Sequence, residues 1–199
     1  MPRLSKQARV AFACTGPFRV FELVEVDIAV MQQLYDANPE YSRMVLGRAP
    51  RDGDAHDDFY DRPPAAFPMG RKFMLGFVDA EDELLGVAEI VSDLFAQSVW
   101  HIGFFLLATN QHGNGLAHQL YEAIELAART NGAQWLRLGV VADNLRGVRF
   151  WQRCGFQQVR VREDYALGER QHTLRVMVKA LSRGDVPEYL ALVPRDRPD

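Results

Sequence analysis

Apolar residues recur with two different periods along this 199-residue chain, and the change between them predicts alternating strands and helices. Short apolar runs bounded by turn residues are typical of strands, whereas spacing of three and four residues is typical of helices. The predicted strands cover 18–26, 72–79, 84–92, 99–108, 134–141, 156–161 and 172–180. The predicted helices cover 28–37, 40–46, 114–130, 145–154 and 186–192. This order predicts an α/β (α+β) fold with helices flanking a mixed, mostly antiparallel central sheet.

Two features of this pattern indicate how the sheet is built. The run 99–108 is the most apolar, which predicts a central strand buried on both faces. The acidic turn 80–83 joins the strands before and after it, which predicts an antiparallel hairpin. A single domain over 18–181 accommodates these elements.

Three segments show no such regular pattern. Residues 1–17 are expected to form an N-terminal arm or a weak first element, and 182–199 a C-terminal tail that includes the helix at 186–192. Prolines and charges crowd together in 48–70, which is too long for a routine connector. Two interpretations of 48–70 stay open, a mobile surface loop and a lid or substrate-recognition loop.

A glycine-containing loop, His112–Ala117, follows the central strand and opens the helix at 114–130. Its two glycines, Gly113 and Gly115, allow a tight turn and leave room for a ligand against the backbone. The first turn of a helix has free N–H groups and a positive dipole end, so this loop can hold a phosphate. The alternative is a simple strand-to-helix turn. Neither a P-loop nor a dinucleotide-binding fingerprint fits the spacing.

The run from Trp100 to Phe156 resembles the core of the GNAT N-acetyltransferase superfamily, in a bacterial-type form with no assigned substrate. That family carries Gln/Arg-x-x-Gly-x-Gly/Ala at this loop. Here the last four positions match, and His112 stands in place of the first. The family also shows an Asn, a small residue, a Tyr and then Gly-Phe, and this chain has Asn144 followed at the right distance by Gly155-Phe156.

The resemblance implies a GNAT-like acyl-CoA N-acyltransferase fold, with acetyl-CoA as co-substrate and no metal. It implies a CoA-binding core over 72–180 and acceptor-side helices and a loop over 18–70. The main chain of Leu106, Leu107 and Ala108 would pair with pantetheine. The N–H groups of 113–118 would hold the pyrophosphate. The implied cofactor-binding residues are Leu106, Leu107, Ala108, His112, Gly113, Asn114, Gly115, Leu116, Ala117, His118, Asn144 and Trp151.

Two of these residues have alternative roles. His112 is expected either to donate to the phosphate, whose charge would raise the imidazole pKa, or simply to be solvated. Asn144 is expected to bond the amide arm of CoA, to cap the helix at 145–154, or to do both.

The sequence offers two candidate catalytic residues. Many family members use a Tyr to protonate the departing CoA thiolate, and Trp151 stands at that position and cannot act as an acid. Tyr165 is a candidate replacement, with a surface tyrosine as the alternative. Glu89 lies among valines on its predicted strand, which suits either the general base or a salt-bridged glutamate.

Composition excludes several classes of protein. A net charge of −3, from 23 basic and 26 acidic residues, argues against a nucleic-acid surface, and no apolar run is long enough to span a membrane. Two cysteines and the absence of a secretory leader favour a cytoplasmic protein.

The expected reaction is transfer of an acetyl group from acetyl-CoA to a small-molecule or peptide amine, with a homodimer left open. The functional alternatives are a catalytically weak acyl-CoA sensor and an acyltransferase with a longer donor or a hydroxyl acceptor.

Overall fold

The computed structural model describes residues 2–4 and 11–198 of the chain. In this part of the chain, the strands form one sheet in the order β1-β2-β3-β4-β5-β6-β8-β7. The pairing of β5 with β6 is parallel, and the neighbouring pairs elsewhere in the sheet are antiparallel. The strands are β1 (Ala11–Thr15), β2 (Phe18–Glu22), β3 (Lys72–Val78), β4 (Leu84–Val91), β5 (Val99–Leu107), β6 (Trp135–Val141), β7 (Gln157–Leu167) and β8 (Arg170–Ala180). The predicted fold class is therefore confirmed.

Helices cover both faces of this sheet. They are α1 (Ile28–Ala37), α2 (Pro39–Val45), α3 (Asp54–Tyr60), α4 (Leu116–Thr130), α5 (Leu145–Arg153) and α6 (Val186–Leu192). One apolar cluster joins α1 and α3 to the sheet, and a second joins α4 and α5 to it. On β4, Val87 belongs to the first cluster and its neighbour Ala88 to the second, as the alternation of a strand requires. No helix in the described ranges is long and apolar enough to cross a bilayer.

Four departures from the sequence prediction lie before β6 in the chain. The segment 1–17, predicted as an arm or a weak first element, contains the strand β1, which pairs with β2, and 48–70 contains the helix α3. The strand predicted over 18–26 ends at Glu22, because the Asp27 carboxylate accepts the Val24 N–H and holds a 3₁₀ turn there. The central strand β5 is not buried throughout, since Gly103 is exposed.

The C-terminal tail is fixed to the sheet by a buried carboxylate. Asp196 is fully buried, and its Oδ2 and Oδ1 lie 2.7 and 2.9 Å from the Nε and Nη2 atoms of Arg137 on β6. The Tyr189 hydroxyl on α6 also donates to Asp196, at 2.7 Å. This network ties the residues after α6 to the middle of the sheet.

Candidate functional site

The sheet opens between its two parallel strands. β5 and β6 pair from Val99 opposite Trp135 as far as Ile102 opposite Leu138, and both strands then continue without pairing to each other. A bulge in β5 accompanies this separation, because Glu89 pairs with Phe104 and Ile90 pairs with Ile102, leaving Gly103 as the extra residue. A cleft of about 1080 Å³ lies at the opening, and the β5 edge from Gly103 to Leu107 lines it.

The glycine loop lies at the mouth of this cleft. Gly113 and Gly115 have φ values of +89° and +86°, and a β-carbon at either position would meet nothing within 4 Å. The Leu116 N–H is occupied by the Asn114 Oδ1 at 3.0 Å, and the His118 N–H by the Gly115 carbonyl at 3.0 Å. The sequence predicts that the N–H groups of residues 113–118 hold a phosphate. Four of these N–H groups have no acceptor among the described residues: those of Gly113, Asn114, Gly115 and Ala117.

His112 does not have a free donor for a ligand. Its Nε2 donates to the Leu107 carbonyl at 2.8 Å, and its Nδ1 accepts from the Arg146 Nη1 at 2.8 Å. This arrangement describes a neutral imidazole. Desolvation lowers the His112 pKa and the Arg146 charge lowers it further, against the opposing effect of the Leu107 carbonyl. The pKa of His112 is therefore lowered in the protein without a ligand, and the rise predicted for a bound phosphate stays a prediction.

Arg146 is a functional candidate that sequence reasoning missed. It lies in the first turn of α5, is exposed, and lines the cleft beside His112. In the sequence, Arg146 is only a basic residue two positions after Asn144. Its contact with His112, 34 positions earlier, depends on the fold.

The three backbone partners predicted at the end of β5 behave differently. Leu106 and Leu107 line the cleft, although the Leu107 carbonyl is held by His112. Ala108 is buried, and its N–H donates to the Leu85 carbonyl at 2.7 Å. The Ala108 N–H is thus unavailable to a ligand. The backbone that is free to pair with a ligand is instead the β5 edge from Gly103 to Leu107.

Both predicted residues of α5 line the cleft. The Asn144 Oδ1 accepts the Gly147 N–H at 2.9 Å, so Asn144 caps the helix, and its Nδ2 has no acceptor among the described residues. Trp151 is buried and presents T-shaped ring contacts to its aromatic neighbours at centroid distances of 4.7 to 5.7 Å. Its observed role is packing at the wall of the cleft.

Glu89 is salt-bridged and also close to the cleft. Its carboxylate lies 2.7 Å from the Lys72 ammonium, and the two side chains are 21% and 3% exposed, respectively. The Lys72 ammonium also donates to the carbonyls of Asp58 and Asp61, at 2.5 and 2.7 Å. The Glu89 carboxylate occupies the space beside Gly103, whose backbone lines the cleft.

Asp58 adds a second carboxylate on this side of the sheet. The Tyr35 hydroxyl donates to its Oδ2 at 3.0 Å. Asp58 is exposed on α3, yet protein atoms surround it closely enough that desolvation, followed by the charge of Glu89, raises its pKa to about 6. The sequence showed only a crowded run of prolines and charges at 48–70, because α3 was not predicted.

Tyr165 lies away from the cleft. It is 40% exposed on β7, opposite His172 on β8, and is not among the residues that line the opening. Tyr165 therefore has no place in the mechanism proposed below.

The β7–β8 hairpin instead closes the far end of the cleft. The Glu169 N–H donates to the Leu46 carbonyl at 2.9 Å, and the His172 Nε2 donates to the Val45 carbonyl at 2.8 Å. These bonds hold the hairpin tip against α2. The side chains at this end are apolar or aromatic and come from α2, β5 and the hairpin: Tyr41, Met44, Val45, Phe104, Leu167 and Leu174.

No group of three or more His, Cys, Asp or Glu residues in the described ranges is arranged to hold a metal ion.

Residues 31–156 match the family model described as the acetyltransferase (GNAT) family, and the chain belongs to that family. Among curated proteins, none matches the sequence.

Solved structures of low identity share the fold. A spermidine N-acetyltransferase from Vibrio cholerae, in complex with CoA and spermine, matches with a TM-score of 0.65 at 15% identity, over 83% of this chain and 96% of its own. The ribosomal-protein-S18-alanine N-acetyltransferase from Escherichia coli matches with a TM-score of 0.62 at 12% identity, over 85% and 97%. An acetyltransferase from Thermus thermophilus matches with a TM-score of 0.62 at 20% identity, over 83% and 98%.

Proposed function

We propose that this protein transfers an acetyl group from acetyl-CoA to an amine by direct attack within a ternary complex. The observation that carries this proposal is the continuity of two features: the unpaired β5 edge from Gly103 to Leu107, and the glycine loop with four free N–H groups. An extended amide chain suits the first and a pyrophosphate suits the second.

The residues present fit acetyl-CoA. The open space over Gly113 and Gly115 admits a phosphate close to the backbone, and a β-carbon at either position would narrow it. The Asn144 Nδ2 is available to donate to an amide of the pantetheine arm. When bound, acetyl-CoA supplies an activated acyl group, and the N–H groups of the bulged β5 edge are available to polarise a carbonyl placed there.

We assign the general base to Glu89. A protonated amine cannot attack a carbonyl, so a group that accepts its proton is required. The Glu89 carboxylate lies against Gly103, whose backbone lines the cleft, so one water molecule in the cleft can relay the proton to it. Lys72 fixes its orientation through the 2.7 Å ion pair.

No side chain is assigned to protonate the leaving thiolate. Trp151 offers only an indole N–H, which is not a usable acid. A thiol has a pKa of about 8.5, so its anion is a tolerable leaving group near neutral pH. The thiolate can therefore leave as the anion and take its proton from water.

The acceptor enters from the far end of the cleft in this proposal. The names of two structural neighbours describe N-acetyltransferases, which supports a nitrogen acceptor. The acidic residues that line the cleft are Glu40 and Asp143. Glu40 lies near Thr109 and His112 at the glycine-loop end, and Asp143 adjoins the α5 cap. The apolar far end favours an amine that carries an apolar group.

Trp151 favours a second candidate function, an acyl-CoA sensor that binds without transferring. A thiol-release assay with acetyl-CoA and a panel of amines separates the two candidates. The panel would contain polyamines, amino acids, aminoglycosides, peptide N-termini and arylalkylamines. Turnover with at least one amine supports the transferase, whereas tight acetyl-CoA binding with no turnover across the panel supports the sensor.

A further inference from the structure

The exposed guanidinium at the mouth of the cleft belongs to Arg146. Its Nη1 lies 2.8 Å from His112 Nδ1, and His112 directly precedes Gly113 in the chain. Arg146 therefore stands beside the glycine loop, three of whose residues with free N–H groups, Gly113, Gly115 and Ala117, line the cleft. Within 2–4 and 11–198, no carboxylate lies within ion-pair distance of Arg146.

His112 holds this guanidinium in place. The imidazole is fixed at one nitrogen by the Leu107 carbonyl, at 2.8 Å, and uses the other to accept from Arg146. An arginine side chain has five N–H donors in a planar fork, and one of them goes to His112. The remaining donors suit a bidentate contact with phosphate oxygens, which a neutral imidazole with no spare N–H cannot make.

We propose that Arg146, positioned by His112, contacts the pyrophosphate of the acyl-CoA donor and so replaces the Gln or Arg that the family carries at the position of His112. This inference rests on the proposed function. It identifies a specificity-determining residue on α5 whose cation lies against the glycine loop.

Calorimetric titration of Arg146→Ala with three donors tests the assignment. Acetyl-CoA carries the pyrophosphate and a 3′-phosphate, acetyl-dephospho-CoA carries only the pyrophosphate, and S-acetylpantetheine carries neither. The variant should bind the first two about tenfold to a hundredfold more weakly, in line with a charged hydrogen bond, and S-acetylpantetheine unchanged. Arg149→Ala is the matched control, because Arg149 is also exposed on α5 but does not line the cleft.

A second variant provides a test within the loop. His112→Arg restores the family residue, so adding Arg146→Ala to it should weaken binding less than threefold. The proposal is overturned if Arg146→Ala binds both nucleotides as the wild type does, if only acetyl-CoA is affected, or if S-acetylpantetheine weakens equally. Failure of the wild type to bind acetyl-CoA would instead overturn the proposed function.

Discussion

The carboxylate of Glu89 lies in the space that a β-carbon on Gly103 would occupy. Glu89 is on β4 and Gly103 is the extra residue of the β5 bulge, so the bulge and the missing side chain together bring the carboxylate beside the cleft. The ion pair with Lys72 holds it there. This relationship makes a glycine a determinant of the proposed proton transfer.

Replacing Gly103 with alanine should therefore slow acetyl transfer. The added methyl group would displace the Glu89 carboxylate, so we expect kcat to fall about tenfold or more while acetyl-CoA affinity changes little. Gly139→Ala is the matched control, because Gly139 also lines the cleft and its β-carbon would meet only the flexible end of Leu174, at 2.9 Å. Steady-state kinetics measures kcat for both variants. An equal fall in kcat in the two variants would contradict this account.

Glu89→Gln should remove the base while keeping a hydrogen-bond acceptor for Lys72. Loss of a general base typically costs about a hundredfold to ten-thousandfold in rate, and kcat should fall by such a factor. Acetyl-CoA binding by calorimetry should stay near the wild-type value.

Asp58→Asn is the comparison variant for Glu89→Gln. Because the Asp58 pKa is raised to about 6, a base at Asp58 would make the rate increase as pH rises through 6. Loss of that limb in Asp58→Asn, with an unchanged profile in Glu89→Gln, would move the assignment to Asp58.

The glycine loop gives a prediction about binding. Gly113→Glu places a side chain and a negative charge where the pyrophosphate is expected, and should abolish detectable acetyl-CoA binding. Gly132→Glu is a matched control, because Gly132 has φ +87° and open surroundings like those of Gly113, but lies at the end of α4 away from the cleft. Both variants therefore bear the same backbone strain. Retained affinity in Gly113→Glu would remove the loop from the site.

The buried Asp196 predicts a pH-dependent stability. Burial by itself would raise its pKa, but hydrogen bonding and charge from Arg137 outweigh this and hold it at about 2. A carboxyl whose pKa is lower in the folded state than in the unfolded state stabilises the fold above the unfolded value of about 3.8, and this contribution is lost as pH falls towards 2.

Asp196→Asn should therefore cost about 3–5 kcal/mol at pH 7 and about 2 kcal/mol less than that near pH 2. Chemical unfolding at several pH values measures this difference. A cost that does not depend on pH would contradict the ion-pair explanation.

The sequence was sufficient for the sheet class, the hairpin at Leu84 and the helices after residue 114, because each depends on local periodicity and turn residues. It also singled out Gly113, Gly115 and Asn144 from their spacing, and these three residues line the cleft. It did not reveal the Arg146–His112 bond, since 34 residues separate the partners and only the packing of α5 beside the loop brings them together.

Three other features depend on tertiary structure in the same way. Ala108 was expected to offer its amide to a ligand, but strand pairing had already used it for Leu85. The exposed position of Tyr165 on β7 follows from the length of the β7–β8 hairpin, which ran beyond the predicted strands. Asp58 lies beside Tyr35 because it belongs to α3, a helix that no clear periodicity in the sequence predicts.

Calorimetric titration of the wild-type protein with acetyl-CoA tests the central claim most directly. The continuous β5 edge and glycine loop predict saturable binding with a 1:1 ratio and a dissociation constant between about 1 μM and 1 mM, the usual range for an enzyme and its substrate. Absence of measurable binding heat at millimolar acetyl-CoA would contradict the account.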